Sequence, residues 1–188
     1  MNQNNTYLIK ALDNYPYNLE ETVESLNFAL SYDPKNTHAL CLQGRIEVDV
    51  YQNYELAIEF YQEALGENMR ATFVYPHFVL ALILNEDYEK AHKLIDFALT
   101  IKASDKGLIY TRQVYLLECQ REYEKALEVI KIAKKHCYDD SLMDDLNDFK
   151  KRIKSKMPKK EKNEMKNSKP DKKESEPEKR KWFWSRKK

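Results

Sequence analysis

Glycine and proline are scarce in this 188-residue chain, at three and six residues. So thin a supply of turn residues leaves little to serve a many-stranded sheet. Cysteine occurs three times (Cys41, Cys119, Cys137), an odd number with no C-x-x-C pair. Reduced, packed thiols in a reducing compartment are therefore expected, not a disulfide framework. No stretch approaches the roughly 18 apolar residues that would span a bilayer. The longest apolar run, Phe78 to Leu84, is far too short. The first ten residues show no basic region followed by an apolar run, so no secretory signal is read there and cytoplasmic residence is the expectation.

Catalytic signatures are missing as well. There is no G-x-S-x-G, no P-loop and no H-E-x-x-H. The four histidines, His38, His77, His92 and His136, are scattered. His38 and Cys41 share one helical face and form at most half a metal site, with no second half in view. Cys119 and Cys137 lack a base that could activate a thiol. The chain is thus read as non-enzymatic, with no cofactor and no metal.

What is present is charge and periodicity. Charged residues make up 34% and apolar residues 42% of the chain, with a net charge of +1. Residues 157–188 carry 13 basic and 6 acidic groups, a net +7, so the remainder carries −6. An acidic body with a basic end is not the footprint of a nucleic-acid-binding domain.

Three segments align: Tyr54-Glu55-Leu56-Ala57, Tyr88-Glu89-Lys90-Ala91 and Tyr123-Glu124-Lys125-Ala126. Each continues with a bulky residue four positions after the alanine (Tyr61, Ile95, Ile130) and a second alanine seven positions after it (Ala64, Ala98, Ala133). A weaker copy precedes them at Thr22, Leu26 and Ala29. The offsets of four and seven place all three side chains on one helical face, and the small ones let a neighbouring helix approach. Apolar residues also recur at four-residue spacing before each motif, at Leu40-Gly44-Val48, Tyr75-Val79-Ile83 and Tyr110-Val114. Each unit is then an antiparallel helix pair, and neighbouring pairs must stack to bury their remaining apolar faces.

The pattern resembles the tetratricopeptide repeat family over about residues 5–137. Gly44 fills the family's small first-helix position and is expected to pack against Ala57. Pro34 matches the helix-ending proline. Val79 and Val114 depart from the small residue, and Pro76 falls inside the expected first helix of the third unit, which must start late or kink. The first helix of the first unit, within Thr6–Asn14, matches poorly. The fold implied is all-α: a right-handed superhelix of about four helix pairs. Residues 138–156 then read as a capping helix, with Asp140 or Ser141 as its cap and Leu142, Leu146, Phe149 and Ile153 as its apolar stripe. Residues 157–188 read as a disordered charged tail.

The resemblance further implies a concave groove lined by the first helices, holding a segment of another protein. Its inward positions are His38, Cys41, Arg45, Val48 and Asp49, then Phe73, His77 and Leu80, then Leu108, Thr111, Arg112, Tyr115 and Glu118. Arg45 and Arg112 are suited to an acidic or C-terminal group of the partner, because a guanidinium pairs with both carboxylate oxygens. The competing reading is that they pair internally with Glu47, Asp49 or Glu118. The Lys/Asn set with which some family members hold a terminal carboxylate is not found. Tyr54, Tyr61, Tyr88 and Tyr123 have packing duties and are not counted as ligands. Trp182, Phe183 and Trp184, set among Lys and Arg, suit either a docking peptide or a weak contact with an anionic membrane.

Overall fold

A computed structural model describes residues 3–158, with side chains from Thr6 onward. Of the predicted disordered tail, residues 159–188 lie outside the described residues, and its first residue, Met157, is buried. The described residues form nine α-helices and no strand. They are α1 (Gln3–Asn14), α2 (Leu19–Tyr32), α3 (Thr37–Ile46), α4 (Tyr54–Glu67), α5 (Tyr75–Leu84), α6 (Tyr88–Thr100), α7 (Lys106–Cys119), α8 (Tyr123–Ala133) and α9 (Asp140–Lys156). Successive helices pair as hairpins: α1 with α2, α3 with α4, α5 with α6, α7 with α8. The second helix of each hairpin also packs on the first helix of the next.

The recurring small residues make this stacking possible. Ala57, Ala91 and Ala126 are all fully buried, as are Ala64, Ala98 and Ala133. Tyr61, Ile95 and Ile130 lie between them, equally enclosed. In the first unit Thr22 takes the alanine's place, and its hydroxyl donates to the Asn18 carbonyl at 2.7 Å, so nothing polar is left unsatisfied. Asparagine or aspartate starts several helices. Asn18, Asn36, Asn53 and Asp105 each accept a hydrogen bond from a backbone amide of the first turn.

Three joints share one backbone device. Gln52, Glu86 and Arg121 have φ of 54°, 60° and 63°, and each stands two residues before the tyrosine that opens the second helix. In the third and fourth units the next amide reaches back five residues, Asp87 to Leu82 at 2.9 Å and Glu122 to Leu117 at 2.8 Å. That left-handed residue ends the first helix and reverses the chain. The second unit carries one extra residue: Tyr54 follows Gly44 by ten positions, whereas Tyr88 and Tyr123 follow Val79 and Val114 by nine. A π-helical turn over Glu47–Tyr51 absorbs it.

The structure settles four points that the sequence left open or placed differently. The first helix of unit one, poorly matched in sequence, is a full helix, and Leu8, Ala11 and the following Tyr15 are buried in its hairpin. The atoms nearest Gly44's missing side chain belong to Tyr61. A Cβ on Gly44 would lie 2.7 Å from the Tyr61 ring. Pro76 does not kink a helix; α5 starts late, at Tyr75, and accommodates the proline in its first turn. The cap of α9 is Asp139, whose carboxylate accepts from the Ser141 amide at 2.8 Å.

α9 takes the place of a fifth first helix. Leu142 approaches Gly107 near the start of α7, the Phe149 ring lies 6.2 Å from Tyr115, and Arg152 pairs with Glu118 near the end of α7. Leu142 is 35 residues after Gly107, and Phe149 and Arg152 are 34 after Tyr115 and Glu118. The helix keeps the repeat's register while presenting charge outward.

Candidate functional site

The first helices α3, α5 and α7 bring one set of polar side chains into a common electrostatic environment. Arg45 sits with its guanidinium carbon 4.5 Å above the Tyr15 ring. The Tyr15 hydroxyl donates to the Asp49 carboxylate. Burial, then that bond, pushes the Tyr15 phenol up to about 12, so it stays a donor. His77 is within the field of both Arg45 and Arg112. Burial drives its imidazole down to about 4, Arg45 and Arg112 push in the same direction, and Asp49 opposes them. At neutral pH His77 is uncharged and offers one donor and one acceptor.

Arg112 is the most enclosed of the cations. Burial lowers its pKa, against the opposing fields of Asp145 and then Asp49. Its Nε donates to the Pro76 carbonyl at 3.3 Å.

The three carboxylates that the sequence offered as internal partners have other hydrogen-bond donors, while Asp145 and Asp49 act on Arg112 through their charge. Glu47 accepts from Gln43 Nε2 at 3.0 Å, and Asp49 accepts from Tyr15. Glu118, with its side chain 2% exposed, receives both Nε and Nη2 of Arg152 at 2.8 and 2.6 Å. Among the described residues neither Arg45 nor Arg112 forms an ion pair.

The remaining predicted positions divide. His38 stacks on Phe73, ring centroids 4.2 Å apart, which joins units two and three at one side of the face. Leu80, Leu108 and Tyr115 are half-buried on it. Cys41 is 4% exposed and Thr111 bonds back to the Gly107 carbonyl at 2.9 Å, so both lie beneath the surface. Burial pushes the Cys41 thiol up to about 12, which keeps it protonated and unreactive. Val48 is buried in the core. No group of three or more His, Cys, Asp or Glu among the described residues is arranged to hold a metal, and no described helix is long and apolar enough to cross a membrane. Trp182, Phe183 and Trp184 lie outside the described residues.

Three contributors escaped the sequence reading: Tyr15, Asp145 and the Phe149–Arg152 pair. Adding one repeat length to Tyr115 and Glu118 would have found the last. Tyr15 follows a helix that matches the repeat poorly, and no spacing rule points to it.

No family model matches the sequence, and no curated protein matches it. A solved structure does, from work described as the functional characterisation of pilF of Pseudomonas aeruginosa. It aligns with a TM-score of 0.66 and 18% identity, over 81% of this chain and 70% of that one. That protein contains tetratricopeptide repeats. The chain has the tetratricopeptide-repeat fold. Within that fold the polar cluster falls on the first helices of units two to four. The tetratricopeptide second-helix motif supplies the buried alanines behind them.

Proposed function

We propose that the chain is a non-enzymatic adaptor that holds an extended or helical segment of another protein against the face of α3, α5 and α7. The observation that carries this reading is the engagement of Glu47, Asp49 and Glu118 by other partners. It leaves Arg45 and Arg112, whose charges both act on His77, without an ion pair among the described residues, and burial desolvates Arg112. A desolvated arginine is costly to keep unless something pairs with it. An acidic side chain or a C-terminal carboxylate of the bound segment supplies that pair, and Leu80, Leu108 and Tyr115 supply apolar contact. Neutral His77 adds a hydrogen bond without adding charge.

The test is affinity capture with the full chain against the Arg45→Glu, Arg112→Glu double variant, folding being checked by circular dichroism. Loss of captured partners from the folded double variant supports the groove. Unchanged capture of every partner removes it.

A second reading rests on the sequence Lys181-Trp182-Phe183-Trp184 with its basic flanks: a peripheral membrane protein tethered by that segment. Co-sedimentation with anionic liposomes separates the two when the full chain is compared with one ending at Lys156. Equal sedimentation of both chains removes the membrane reading. Cytoplasmic residence belongs to the same proposal and follows from the free thiols.

A further inference from the structure

The third hairpin differs from its neighbours on the side away from the arginines. Two first-helix positions, 35 residues apart from unit to unit, decide this. In unit two they are Gln43 and Glu47, which bond to each other; in unit four they are Gln113 and Leu117. In unit three they are Phe78 and Leu82. These two form the floor of an apolar pocket of about 300 Å³, walled by Leu94 and Phe97 of α6 and rimmed by Lys90 and Lys93.

Phe97 is 45% exposed, yet it is positioned. Its ring lies 5.9 Å from Tyr75, tilted by 54°, leaving the pocket side open. The corresponding wall in unit two is Phe60 and Glu63, with Leu56 and Glu59 at the rim, and in unit four Lys125 and Glu128 stand where unit three has its two lysines. Only the third unit combines an apolar floor, an exposed aromatic wall and a purely basic rim. Lys90 is held by Asp87 at 2.9 Å, whereas Lys93 makes no ion pair among the described residues.

We infer that this pocket between α5 and α6 is a second docking site, taking a bulky apolar side chain of a partner protein flanked by acidic residues. The apolar floor and Phe97 supply the affinity by removing apolar surface from water. Lys93, with Lys90 behind it, selects partners whose neighbouring residues are negative and speeds their encounter. The site is independent of the arginine face, so one adaptor can hold two segments at once, and the local concentration of the second rises when the first is bound.

The test uses the full chain, uniformly labelled for backbone amide resonances. One probe is a capped hexapeptide with Leu-Phe at its centre and two aspartates on each side; the other replaces every aspartate by lysine. The acidic peptide is expected to shift the Leu94 and Phe97 resonances, and the basic peptide to leave them in place. Phe97→Ala should weaken the acidic peptide about tenfold or more, and Lys93→Glu should weaken it as well. Phe97 and Lys93 are exposed, so both variants keep the fold, and the helical circular dichroism signal checks that. The Arg45→Glu, Arg112→Glu variant should bind the peptide as the parent does. No shift with either peptide, an equal response to both, shifts confined to α3 and α7, or full binding by Phe97→Ala would each overturn the site.

Discussion

The second and fourth hairpins, α3–α4 and α7–α8, build the same joint with different pieces. Where the second has Gly44 under a tyrosine ring, the fourth has Val114 over the smaller Ile130. Where the second needs a π turn to take up an extra residue, the fourth closes directly. Where the second buries Val48, the fourth buries Glu118 and supplies Arg152 from α9 to meet it. The repeat therefore preserves a summed volume and a satisfied set of polar groups across positions, not a residue at each position. Interiors packed to crystal-like density require this kind of matching.

The largest expected effect comes from swapping one piece alone. Gly44→Val drives a side chain into the Tyr61 ring and should cost about 3 kcal/mol in denaturant unfolding. Adding Tyr61→Ile, which copies the fourth hairpin's pairing, should recover at least half of that loss. A double variant no more stable than Gly44→Val alone would show that the two positions do not share one volume. Next is Arg152→Ala, which takes a guanidinium away from a buried carboxylate and should cost about 2 kcal/mol. Glu118→Ile in the same chain should restore it, since the equivalent positions are Val48 and Ile83.

A comparable effect depends on pH. His77 is depressed to about 4 in the folded protein, against a reference of about 6.5. The unfolded chain then binds more protons than the folded one between these values. Stability is full above pH 6.5 and falls as pH drops towards 4, with no further loss from this group below that. After allowance for the solvent that reaches the ring, the loss is about 2 kcal/mol. Unfolding free energies of the parent and His77→Gln at pH 7 and pH 4.5 measure it. The variant should lose less on acidification, and parallel curves would show that His77 does not titrate this way. The smallest effect is at a joint. Arg121→Gly removes the strain of a left-handed non-glycine residue and should raise stability by about 0.5–1 kcal/mol.

The fold was legible because its signal is redundant. Buried alanines at four matching places cannot arise from surface chemistry, and Ala57, Ala91 and Ala126 occupy equivalent enclosed sites. The site was legible only in part. The resemblance implied Arg45, His77 and Arg112 as positions of one face, and the charges of both arginines act on His77. Spacing could not say how deep each lies, and Cys41 and Thr111 proved to be beneath that face. Nor could it say who pairs with whom. Glu118 is bonded across 34 residues to a helix whose polar exterior hides its membership of the repeat. The Gly44–Tyr61 contact was missed for a related reason: the motif directs attention to the small residues, while the clearance is set by the large one between them.

Because α9 meets α7 at the repeat's spacing, the stack ends on a helix that keeps the register but packs more loosely than the first helices before it. Its outward residues forbid another layer. Giving α9 an apolar outer stripe and following it with a further motif-bearing helix would lengthen the array by one hairpin, with no existing contact rebuilt.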